Sequence, residues 1–165
     1  MKLFFCFIIV ASFGFVGNSL SNFYKLRKKF FFNLNMFVSD FKLNINFSSK
    51  KLLTFIDRFL INVNDKNFSQ LLYNFKLNII QKKSFDFDSL FNNIYILNRQ
   101  EKESIFQLLS KLGRVNVYSQ NDFIEKFLIY CNDYYNSSKN DCLMYSSLYT
   151  KLGFVFGVLL VIVLY

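Results

Sequence analysis

Residues 148–165 read LYTKLGFVFGVLLVIVLY, and how this stretch is placed decides the fold. From Leu152 to Tyr165 there are 14 residues with no charge, and extending back to Ser146 gives 20. Twenty residues of helix at about 1.5 Å each make about 30 Å, the thickness of a bilayer core. Lys151 then lies inside the span near one end, where its long stem can carry the ammonium toward the headgroups. The opposite end of the sequence, MKLFFCFIIVASFGFVGNSL at 1–20, is as apolar, and no charge falls between residues 3 and 24. Two spans with a domain between them are the first expectation.

Charge orients them. Only Lys2 precedes the first apolar segment, whereas Lys25, Arg27, Lys28 and Lys29 follow it at once. A cleaved secretory signal is the competing reading, with Gly14 and Gly17 as its small residues, but such a signal carries its positive charge in front. The positive-inside rule keeps the chain after residue 24 in the cytoplasm. The expected organisation is an N-terminal transmembrane anchor at 1–24, a cytoplasmic helical bundle at 25–145 and a C-terminal transmembrane helix at 146–165. In this topology 19 of the 20 basic residues follow the first anchor.

The composition reflects AT-rich coding: 24 Phe, 19 Asn and 10 Tyr stand against no Pro, no Trp and a single Ala, Ala11. Phenylalanine therefore substitutes for leucine in cores and spans rather than forming a platform for bases. Between 25 and 150 the apolar residues recur at helical spacing with no sustained alternation. Phe30, Leu34, Phe37, Phe41 and Ile45 mark a stripe continuous with the first anchor. Leu52, Leu53, Ile56, Phe59 and Leu60 mark a short helix after Ser49, and Phe68, Leu71, Leu72, Phe75 and Ile79 a third. Leu90, Phe91, Ile94 and Leu97 suggest a fourth helix. Ile105, Phe106, Leu109 and Leu112 suggest a fifth, closed by Gly113. Ser119-x-x-Asp122 reads as a capping-box variant at the start of a last helix. Its stripe (Ile124, Leu128, Cys131, Tyr135, Ser138, Cys142, Tyr145, Tyr149) runs into the C-terminal span. Asn, Ser and Lys clusters at 46–51, 62–67 and 136–141 are expected to be loops or exposed faces. The fold class is all-α.

The same residues argue against several chemistries. There is no histidine, hence neither the commonest general base nor the commonest metal ligand. Cys6, Cys131 and Cys142 lack metal-site or redox spacing; Cys131 and Cys142 are expected to be reduced core residues. Only Gly113 lies outside the apolar ends, so no phosphate-binding loop exists. No nucleic-acid module is recognisable. A non-enzyme without cofactor or metal is expected. Charge is uneven: residues 21–83 hold 12 basic and 3 acidic residues, a net of +9, and residues 84–151 hold 7 and 8, a net of −1. The basic half suits anionic membrane lipids or an acidic partner surface.

The second half of the chain carries an ordered set of elements. Leu112-Gly113 is followed by Asn116 and Gln120, then a long helix. After it come Leu148-Tyr149-x-Lys151-Leu152-Gly153-x-x-x-Gly157 and a closing Val161-Ile162-x-Leu164. This order resembles the stage III sporulation protein AB family, which has an N-terminal anchor, a basic juxtamembrane helix, a Leu-Gly-x-x-Asp-x-x-x-Gln element and a Leu-Gly-x-x-x-Gly span. Asn116 stands where that family usually has aspartate, which keeps capping capacity and loses charge. The alanines frequent in the family's last helix are missing.

The resemblance implies an all-helical cytoplasmic domain similar to that of the type II secretion inner-membrane platform protein. It implies a place in the mother-cell membrane around the forespore, within a secretion-like channel complex driven by a stage III sporulation protein AA-like ATPase, with this protein as the coupling platform. The site residues it suggests are the loop at Gly113, Asn116 and Gln120. The residues themselves suggest helix packing at Gly153 and Gly157, against another helix or against the chain's own first span with Ala11 and Gly14 as its small residues, and a membrane-proximal basic stretch at Lys25, Arg27, Lys28 and Lys29. An unrelated membrane-tethered scaffold or receptor, or a secreted protein with a cleaved signal, are the alternatives.

Overall fold

The computed structural model describes residues 2–43, 49–81, 86–112 and 117–164, and all regular structure among them is helical. The order is α1 (Lys2–Leu43), α2 (Ser49–Asn62), α3 (Lys66–Gln81), α4 (Phe87–Leu90), α5 (Arg99–Lys111) and α6 (Val117–Leu164). The chain divides into two compact units. One comprises Met1–Lys28 with Asn136–Tyr165, the other Lys29–Tyr135.

The unit at 29–135 is built on phenylalanine. Phe30, Leu34, Phe37 and Phe41 of α1 are buried, as the i, i+3/i+4 spacing requires of a helix with one apolar face. The Phe37 ring is met by Phe55 at 5.4 Å, Phe59 at 5.3 Å and Phe68 at 6.1 Å, and Phe30 meets Phe68 at 5.4 Å. Tilted and edge-on contacts let each positive ring edge face a negative ring face, a gain beyond area alone. Leu52 and Ile56 of α2, Leu71, Leu72 and Phe75 of α3, Ile105, Leu108 and Leu109 of α5, and Ile124, Phe127 and Cys131 of α6 are buried as well. Burial pushes the Cys131 thiol well above its usual range, so it stays protonated and unreactive at neutral pH.

Polar groups start the helices. Asp65 is buried ahead of α3, and its Oδ1 accepts from the backbone N–H of Asn67 at 3.0 Å. Its Oδ2 accepts from the Asn33 amide at 3.3 Å, tying α1 to the turn before α3. Asn98 and Glu101 form a reciprocal capping box on α5, and Glu101 is only 2% exposed. Lys42 pairs with Glu125 at 2.6 Å across α1 and α6, holding the Glu125 carboxyl below its usual range.

Three expectations need correction. The fourth helix is a single turn: α4 ends at Leu90, and Asn93 adopts a left-handed φ of 62° that a continuous helix excludes. Leu90, Phe91, Ile94 and Leu97 are buried nevertheless, because an irregular segment can face a core at the same spacing. Second, α6 begins at Val117, so Ser119 lies inside its first turn rather than ahead of it. Third, Cys142 is half-buried, unlike Cys131. The cluster at 136–141 is part of α6 and mostly exposed, except for the buried Ser138. Ile45 and Gly113 lie outside the described residues.

Phe37→Ala should cost about 3–5 kcal/mol, because it empties the centre of the ring cluster. Ile129→Ala, at a side chain 63% exposed, should change stability by under about 0.5 kcal/mol. Denaturant titration of the detergent-solubilised chain, followed by circular dichroism, measures both.

Candidate functional site

The unit made of 1–28 and 136–165 is a pair of helical segments with little inside. Helices long and apolar enough to cross a membrane run over Phe4–Leu43 and Phe123–Val163, and only 11% of the most apolar window of each is buried within the chain. Phe15 is 74% and Val163 83% exposed. A core helix of a water-soluble protein would hide such residues; a helix in lipid has no reason to.

What is buried is a narrow seam. A Cβ placed on Gly153 would stand 2.6 Å from the carbonyl oxygen of Phe13 and 2.9 Å from the Cα of Gly17. One placed on Gly17 would stand 2.5 Å from the carbonyl oxygen of Tyr149. On Gly157 it would meet the Cα of Val10 at 3.0 Å and the Cβ of Phe13 at 3.3 Å. At Gly17 and Gly153 these are backbone-to-backbone approaches that only glycine permits, and at Gly157 the fit is tight; close approach is what holds helices together in lipid, where no hydrophobic force acts between them. Rising residue numbers in α1 meet falling numbers in α6, so the two segments are antiparallel.

The seam continues through polar and aromatic residues. Ser21 and Ser146, both buried, share a hydrogen bond of 2.9 Å between their hydroxyl oxygens. One turn further along α1, the Tyr24 ring stacks on Tyr149 at 5.7 Å and 10° and leans on Tyr145 at 5.4 Å. Tyrosine suits the level where hydrocarbon gives way to headgroups.

The expected packing residues Gly153 and Gly157 are thus engaged by the chain's own first helix. Their partners differ from those expected: a Cβ on Gly14 would meet nothing within 4 Å and Ala11 is exposed, so Gly17, Val10 and Phe13 take those places. Gly17 and Ser21 were missed because a glycine and a serine after an apolar run also read as a signal-peptide end, and Ser146 because it served only to mark the start of the C-terminal span. The available signal was spacing: 10, 13, 17, 21 and 24 in α1 and 157, 153, 149 and 146 in α6 recur at steps of three and four. Lys25 and Lys29 are exposed on α1, with Arg27 and Lys28 half-buried. Of the expected loop, Gly113 and Asn116 lie outside the described residues, and of Gln120 only the backbone, in α6, is described. A groove of about 350 Å³ between α5 and α6 is lined by Ser104, Gln107, Phe123, Tyr130 and Tyr134 among others. Among the described residues no three His, Cys, Asp or Glu side chains gather as a metal would need.

These features define an all-helical protein whose two long apolar helices, closed on each other as a hairpin, suit it to a membrane. The family model for stage III sporulation protein AB matches residues 2–165, and the chain belongs to that family, which gives it a role in stage III of sporulation. Comparison with the curated proteins and with the solved structures returned no match.

The Ser21 and Ser146 hydroxyls are close enough that cysteines at both positions, with the native cysteines replaced by serine, should form a disulfide under mild oxidation. Adding Gly153→Leu should reduce that disulfide at least about fivefold, since the larger side chain must push the helices apart. Gel mobility after oxidation in membranes measures it; an undiminished yield would mean that the seam does not hold the hairpin.

Proposed function

We propose that this chain is a membrane-anchored, non-catalytic platform component of the mother-cell-to-forespore secretion-like channel, coupling a cytoplasmic, stage III sporulation protein AA-like ATPase to the channel. The observation that carries the reading is the glycine seam. An antiparallel pair of spans leaves both chain ends on one side of the membrane and everything between the spans on the other. The basic residues Lys25, Arg27, Lys28 and Lys29 after the first span favour the cytoplasm, here that of the mother cell, for the domain. Each such residue adds about 1 kcal/mol of attraction to anionic lipid headgroups.

A structural rather than catalytic role is supported by what the carboxylates do. Asp65 and Glu101 cap helices, while Asp57, Glu103 and Glu125 pair with Lys76, Arg99 and Lys42. With no histidine in the chain, the commonest general base is missing. Membership of the sporulation family supports the setting, and the channel and ATPase partnership follow from the family resemblance.

Orientation is tested by a cysteine at Asn93, an exposed position, in a chain lacking its native cysteines. It should resist a membrane-impermeant maleimide until cells are permeabilised, and replacing Lys25, Arg27, Lys28 and Lys29 with Gln should raise the fraction labelled from outside. Labelling of the unaltered sequence in intact cells would overturn the topology and the platform reading together.

The partnership is tested by reconstituting the full chain in bilayers with the cognate ATPase. Co-flotation and a change in ATP turnover of at least about twofold are expected. Vesicles that carry the chain but neither recruit the ATPase nor alter its turnover would end the coupling role.

A further inference from the structure

The groove between α5 and α6 lies wholly within the unit at 29–135, and its two walls differ in chemistry. On α6, Phe123, Phe127, Tyr130 and Tyr134 recur at steps of four, three and four, which makes one aromatic stripe along the helix. On α5 the facing residues are Ser104 and Gln107. Leucines there would pack on the rings and close the gap; a short hydroxyl and a flexible amide leave about 350 Å³ open. A contact brackets the opening at each end. At one the hydroxyl oxygens of Ser104 and Tyr134 are 3.5 Å apart, and at the other the Lys111 ammonium stands 4.1 Å from the centre of the Phe123 ring. Between those contacts α5 advances seven residues and α6 eleven, about 10 and 16 Å of helix.

Positive charge gathers at the Phe123 end. Lys126, three residues from Phe123, also lines the groove, and no carboxylate is among the lining residues. Neither Lys126 nor Lys111 has an ion pair among the described residues, and nearby carboxylates are engaged elsewhere, Glu103 by Arg99 and Glu125 by Lys42. Between the two ends Tyr130 is 59% exposed, an amphipathic ring of the kind that anchors protein interfaces.

A flat bilayer surface cannot enter an opening bracketed in this way. A second copy of this chain has no amphipathic helix to spare, because α2, α3 and α5 already bury their apolar faces through Leu52 and Ile56, Leu71 and Phe75, and Ile105 and Leu108. A helix from another protein matches the length, since about 10–16 Å is two to three turns, and it brings the apolar anchors and the charge that the walls lack.

We propose that this groove docks an acidic amphipathic helix of a partner protein, whose apolar face lies against Phe127 and Tyr130 and whose carboxylates meet Lys126 and Lys111. Ser104, Gln107 and the tyrosine hydroxyls supply the polar rim. Docking of this kind does not depend on which protein carries the helix, so a failure to recruit the ATPase leaves it standing.

The test titrates the full chain in phosphatidylcholine nanodiscs with fluorescent stapled helices of about three turns, carrying leucines at i, i+4 and i+7. Two of them bear a pair of glutamates, in the first turn or in the last, because either direction of docking can bring the pair to Lys126; two references bear lysines instead. Anisotropy should show one glutamate helix binding at least about tenfold tighter than its lysine counterpart. Lys126→Glu should abolish or reverse that preference, and Tyr130→Ala should weaken binding at least about fivefold. Ile129→Ala and Lys139→Glu, at exposed positions outside the groove, should change neither. All four substituted side chains are exposed, so circular dichroism should find the fold unaltered. Equal binding of glutamate and lysine helices, or a preference that survives Lys126→Glu, would overturn the proposal. So would equal affinity for a glutamate peptide whose leucines are scrambled off one face, since charge alone would then explain the binding. Self-association of the chain that the glutamate helix reverses would overturn it too, because the groove would then hold another copy.

Discussion

Gly17 and Gly153 meet with no side chain between them, and the organisation of the apolar helices follows from that contact. Lipid offers no reward for bringing two apolar helices together, so association depends on how near their backbones come. At this spot they come so near that a single methyl group would strike a carbonyl oxygen at 2.5–2.6 Å. The contact sets the register, and the register in turn brings Ser21 to Ser146 and Tyr24 between Tyr145 and Tyr149. Within the unit at 29–135 α1 and α6 are also antiparallel, as Phe31 against Tyr134 and Lys42 against Glu125 demonstrate. There the attraction is of another kind: buried rings expelled from water rather than backbones in van der Waals contact.

That difference explains which parts were legible in the sequence. The unit at 29–135 obeys periodicity, and the stripes through Phe30 to Phe41, Leu52 to Phe59, Phe68 to Phe75 and Ile105 to Leu109 fall on α1, α2, α3 and α5. Where periodicity misled, at Leu90 to Leu97, the spacing was right and the backbone was not. The pair Asn92-Asn93 tolerates a left-handed residue, and Asn98 then restarts the helix as a cap. The seam was half legible. Gly153-x-x-x-Gly157 announced close packing, but the partner helix had to be found by register, and Gly14 was a nearer guess than Gly17 only in appearance. Side-chain partners such as Asn33 with Asp65, 32 residues apart, leave no trace in local pattern.

The division of labour among polar residues bears on function. In the unit at 29–135, carboxylates and amides are spent on helix ends and ion pairs. In the hairpin the buried hydroxyls of Ser21 and Ser146 satisfy each other, while the amides of Asn18 and Asn22 find no partner among the described residues. In this member of the stage III sporulation protein AB family, polar side chains thus join elements in one unit and close the helix pair in the other.

The contact between Gly17 and Gly153 also limits how this chain can change over evolutionary time. Most packed pairs can exchange volume: one residue grows, its neighbour shrinks, and the interface survives. Here both positions already hold the smallest residue there is, so neither can yield to the other. Any step away from glycine must be met by moving two backbones, and every intermediate along that route is a loosened hairpin. The seam is therefore a point without compensating neighbours, while the phenylalanine cluster, whose rings can be traded for leucine or methionine in many combinations, is free to drift.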